Sequence, residues 1–76
     1  MAGLSIFNIR RKTTKEERFR ELFLSMHPKL IRYATTLMGD ADEAKDIVSE
    51  VFGRAWENFS SLGDEASAWL YIATRN

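Results

Sequence analysis

From Phe19 to Ala73 the apolar residues recur at steps of three and four, and no stretch alternates apolar with polar as a half-buried strand does. That spacing restricts the chain to α-helices, because only a 3.6-residue turn brings such positions onto one face. Thr14 and Glu17 stand at the T-x-x-E spacing of a capping box, so a first helix is expected from about Lys15, carrying Phe19, Leu22, Phe23 and Met26 on its apolar side. Pro28 has no amide hydrogen and disfavours the helical region at His27, so this helix is expected to kink or split there. Beyond it Leu30, Ile31, Ala34, Leu37 and Met38 continue the stripe, and Gly39 supplies a stop.

Asp40 and Glu43 form the next capping box, and the acids at Asp42 and Glu43 suit the positive end of a helix dipole. Ala44, Ile47, Val48, Val51, Ala55 and Phe59 define the buried face of a helix over 41–59. Ser60 to Gly63 then reads as a loop, and Asp64 as the cap of a helix whose stripe is Ala66, Trp69, Leu70 and Ala73. The expected fold is therefore all-α, a small antiparallel bundle of three to four helices. With 76 residues it has a thin core, since folding at this size buries roughly 60% of the unfolded chain's surface.

Charge narrows the partners. The net charge is zero, yet residues 1–38 carry eight basic residues against three acids, +5, and residues 39–76 carry three against eight, −5. Backbone affinity for nucleic acid grows with the phosphates neutralised, so strong autonomous binding is not expected, whereas the acidic half suits a basic protein partner. There is no Cys, and no apolar run approaches the roughly 20 residues of a membrane span, so the expectation is a soluble cytoplasmic protein without disulfides, independent of any membrane.

At 100° per residue, Asp46, Ser49, Glu50, Gly53 and Trp56 cluster beside the apolar arc of the 41–59 helix, Trp56 about 100° from its centre. Gly53 costs on the order of 1 kcal/mol in a helix interior, which hints at close approach of another backbone. Two readings stay open on the pattern alone: a solvated flank with Trp56 covering the core edge, or a docking surface. Neither reading is catalytic. His27 is the only His and has no Cys beside it, helix capping explains Asp42 and Glu43, no Ser or Thr has a basic partner, and there is no Gly-rich phosphate loop, so neither an enzyme nor a metal or cofactor site is expected.

The run Gly39-Asp40-Ala41-Asp42-Glu43-Ala44-Lys45-Asp46-Ile47-Val48-Ser49-Glu50-Val51-Phe52, followed by Arg54-Ala55-Trp56-Glu57, resembles region 2 of extracytoplasmic-function (ECF) sigma factors, the small promoter-recognition subunits of bacterial RNA polymerase. Ala68-Trp69-Leu70-Tyr71 and Arg75-Asn76 resemble the next part of that region, and Phe19 to Met38 its opening helices, so the likeness covers roughly residues 15–76. It implies that Asp46, Ser49, Glu50, Gly53 and Trp56 dock on the clamp helices of the polymerase beta-prime subunit, with Ser49 standing where the family usually has Gln. It also implies that Trp69, Tyr71, Arg75 and Asn76 face the −10 element of promoter DNA, where strands open and bases are captured; Ile72 stands where a basic residue is frequent. Residues 1–13 show no sustained period and carry Arg10-Arg11-Lys12, so a flexible basic arm is expected there, and by the same likeness 14–76 are a region 2 domain that stops before its last helix, without the C-terminal domain that reads the −35 element. Promoter binding by this stretch alone is then expected to be weak. An anti-sigma factor is a further partner the family allows, and self-association through uncovered apolar surface is another. The alternative function is a stand-alone helical interaction module using the same acidic helix.

Overall fold

A computed structural model describes residues 14–76. Three α-helices follow one another, α1 (Lys15–Met38), α2 (Ala41–Leu62) and α3 (Ala66–Arg75), with a single 3₁₀ turn, Gly63–Glu65, between the last two. The all-α expectation holds among these residues. The expected three to four helices are reached only by counting the short third one: two long helices make a hairpin, and one short helix folds back on it. The basic arm expected over 1–13 lies outside the described residues.

The ends of α1 and α2 follow from local chemistry. Thr14 closes the first as a full capping box, its hydroxyl accepting from the Glu17 amide at 3.1 Å while its own amide donates to the Glu17 carboxylate at 2.9 Å. Gly39, at φ 71°, adopts the left-handed conformation that ends α1 and donates its amide to the Thr35 carbonyl at 2.7 Å. Asp40 caps α2 by itself, its carboxylate accepting from the Asp42 and Glu43 amides at 2.9 and 3.1 Å, with no return bond from the Glu43 side chain.

Three sequence expectations are corrected. Pro28 does not split α1, which runs unbroken through it. The carbonyl that loses its partner belongs to Leu24, a residue 66% exposed, so water can satisfy it, while Met26 and Leu30 on either side are buried in one core. Nor is there a loop over 60–63: α2 continues to Leu62 and passes through the 3₁₀ turn directly into α3. Asp64 makes no capping bond, because that turn already satisfies backbone at the start of α3, the Ala66 amide donating to the Gly63 carbonyl.

Because only Gly39 and Asp40 separate them, α1 and α2 pack antiparallel. Phe19 near the start of α1 meets Phe59 near the end of α2, ring centroids 5.3 Å apart, and Phe23 meets Phe52 at 4.8 Å. Ala34, Ala44 and Ala55 are fully buried along the seam, and such small side chains let the helices approach closely. Leu70 of α3, also fully buried, joins the same core, and Tyr71 meets Tyr33 of α1 edge-on at 5.1 Å. Phe23 and Leu37, expected inside, are instead 36% and 49% exposed, while Phe52 and Thr74 are buried.

Candidate docking and nucleic-acid surfaces

Helix α2 sorts its residues by angle. Ala44, Val48, Val51, Phe52, Ala55 and Phe59 are buried, whereas Asp46, Ser49, Glu50, Gly53 and Trp56 are all exposed on one continuous flank. Among the described residues Asp46 has no ion-pair partner, and Glu50 has one, Arg54 one turn on at 4.0 Å. That exposed pair contributes about 0.3–0.5 kcal/mol, little enough for a better-placed cation to displace. Among the described residues a Cβ built on Gly53 meets nothing within 4 Å, so no backbone there requires the glycine. The close approach inferred from sequence has no counterpart among the described residues.

Trp56 has two roles at once. Its ring packs edge-on against Phe19 at 5.2 Å, with the Lys15 ammonium 4.2 Å from the ring centroid, yet it stays 36% exposed. Phe19 in turn touches Phe52 and Phe59, so the tryptophan is rooted in an aromatic cluster that sequence reasoning did not identify. The signal was present as aromatic residues one turn apart at 19 and 23 and again at 52, 56 and 59. What periodicity does not supply is which of them meet across the hairpin.

The α3 residues divide differently from expectation. The fully buried stripe is Ala66, Leu70 and Thr74, which turns the inward face toward Tyr71 and leaves Trp69 half-buried at the other margin. Thr74 tolerates burial because its hydroxyl donates to the Leu70 carbonyl at 2.7 Å. Tyr71, expected to face DNA and not counted in the stripe, is therefore half-buried against Tyr33, while Arg75 and Asn76 are exposed. Trp69 carries the Arg54 guanidinium 5.9 Å from its ring centroid. Arg75 and Asn76 line a cleft of about 210 Å³ together with Met38, Ile47, Arg54 and Glu50. The two sets of candidate residues thus adjoin at Glu50.

On another side, a shallow groove of about 510 Å³ is lined by α1 and α2 alone, through His27, Pro28, Ile31, Arg32, Lys45 and Ser49. The His27 ring lies 4.7 Å from Phe23 and 5.9 Å from Phe52, which fixes one wall. Among the described residues no group of three His, Cys, Asp or Glu side chains is arranged to hold a metal, and no helix is long and apolar enough to cross a membrane.

A helical hairpin with an exposed acidic and aromatic flank is the architecture of a binding module. Residues 22–76 match Sigma-70 region 2, and the chain belongs to that family, which is not a family of enzymes. Among curated proteins it is similar to the ECF RNA polymerase sigma factor SigL of Mycobacterium tuberculosis, 46% identical over 50 residues, a stretch covering 62% of this chain and 28% of the relative. It is also similar to the ECF RNA polymerase sigma factor EcfG of Rhodopseudomonas palustris, 39% identical over 59 residues, covering 75% of this chain and 33% of the relative. The chain therefore spans about a third or less of the length of these relatives. No solved structure gives a significant match.

Proposed function

We propose that residues 14–76 act in bacterial transcription initiation as the polymerase-docking domain of an ECF sigma factor, in the cytoplasm, with the exposed flank of α2 seated on the beta-prime clamp helices. The observation that carries this reading is the sorting of one motif by burial: Val48, Val51 and Ala55 hold α2 in the core while Asp46, Ser49, Glu50, Gly53 and Trp56 face outward together. Asp46 and Glu50 accept charge-assisted bonds from partner cations, Gly53 leaves a flat spot for a partner backbone, and Trp56, held by Phe19, excludes water from the ion pairs. Ser49 reaches less far than the family's usual Gln, so that position contributes a void in place of a bond.

The end of α3 contributes the promoter side. Arg75 contacts a phosphate, and Asn76 and the open edge of Tyr71 help to receive a base of the melted −10 element; Trp69 supports them from its half-buried position. Opening duplex costs roughly 1.4 kcal/mol per step and stacking on an aromatic returns roughly 1–3 kcal/mol per base, so even one aromatic edge helps to hold an opened strand. Docking is tested by pull-down of bacterial RNA polymerase core with the chain. Retention of core that falls on Asp46→Ala supports the reading, and no retention by the wild-type chain rejects it.

A further inference from the structure

The groove between α1 and α2 has a composition that the acidic flank does not explain. Its charged lining is Arg32 and Lys45, with no carboxylate, and among the described residues neither cation forms an ion pair. Its wall is apolar and firm, Pro28 and Ile31 beside a His27 ring held by Phe23 and Phe52. Ser49 belongs both to this groove and to the docking flank, and its short side chain keeps the groove open where that flank begins.

We propose that this groove is a specificity pocket of the docking surface that receives an acidic side chain of the polymerase clamp helix, its carboxylate held between Arg32 and Lys45 and its stem lying along Ile31 and Pro28. The inference rests on the polymerase-docking reading and adds to it the sign of one contact. A partner helix crossing α2 meets carboxylates at Asp46 and Glu50 and, past Ser49, two cations, so it must offer basic residues to the first and an acid to the second. An all-basic helix would set like charges against Arg32 and Lys45, which penalises wrong partners and wrong registers more than it alters the strength of the right one.

The test measures affinity for RNA polymerase core by fluorescence anisotropy of the labelled full chain, comparing wild type with Lys45→Glu, Lys45→Arg, Ser49→Gln and Asp46→Ala. Lys45 and Ser49 are exposed, and unchanged circular dichroism melts confirm that each variant folds. Charge reversal at Lys45 should weaken binding roughly tenfold and Lys45→Arg should not, whereas Ser49→Gln, which restores the flank bond but fills the mouth of the groove, should fail to strengthen binding. Replacing the acidic residues of the clamp helices by Lys, one at a time, should restore binding to Lys45→Glu at one position. If Asp46→Ala weakens binding while Lys45→Glu leaves it unchanged, or if Ser49→Gln strengthens it, the pocket is wrong and docking stands. If the wild-type chain does not bind core at all, docking itself fails and the pocket with it.

Discussion

Gly53 separates stability from docking at a single residue. It costs α2 about 1 kcal/mol relative to Ala, and none of the described residues lies within 4 Å of the Cβ it lacks. Gly53→Ala should raise stability by up to about 1 kcal/mol, read as a higher urea midpoint at constant slope, and should weaken polymerase binding where a partner backbone crosses that spot. A higher midpoint with unchanged affinity would remove Gly53 from the docking surface. The outward flank of α2 was legible in the sequence because exposure on a single helix follows from angle alone. Tyr71 was not: its half-buried place depends on where α3 crosses α1 and on Thr74 satisfying its own hydroxyl within the helix, neither of which angle predicts.

Pro28 carries the corresponding question for an element. Since α1 is continuous and the carbonyl opposite the proline ring belongs to an exposed residue, restoring an amide there should strengthen the helix. Pro28→Ala should stabilise the chain by about 2 kcal/mol, the roughly 3 kcal/mol cost of an interior proline less up to about 1 kcal/mol of restored freedom in the unfolded chain. A lower melting temperature by circular dichroism would mean that the proline ring's packing outweighs the lost bond. The caps at Thr14, Gly39 and Asp40 were readable because each is a local pattern completed within four residues. The continuity of α1 at Pro28 and the extension of α2 through 60–62 into a 3₁₀ turn were not, since both depend on the core that Leu30, Val48 and Leu70 share.

For the whole molecule, opposite charges on the two halves and a zero net charge govern what the chain does without partners. With Arg75 as its one exposed cation, α3 offers few phosphate contacts. Binding to an oligonucleotide carrying a −10 element should therefore be weak at physiological salt, with a shallow dependence of affinity on salt in anisotropy titrations. Tight, sequence-specific binding by the isolated chain would place the promoter surface elsewhere than at the end of α3. On the proposed reading the polymerase then supplies most of the affinity, through the acidic flank of α2. The most direct test is a titration of labelled chain with RNA polymerase core, wild type against Asp46→Ala, at matched salt and with folding checked by circular dichroism. A desolvated carboxylate at a docking centre contributes about 2 kcal/mol, so saturable wild-type binding weakened roughly thirtyfold by Asp46→Ala is expected. Saturable binding with the same affinity in both would contradict docking through α2.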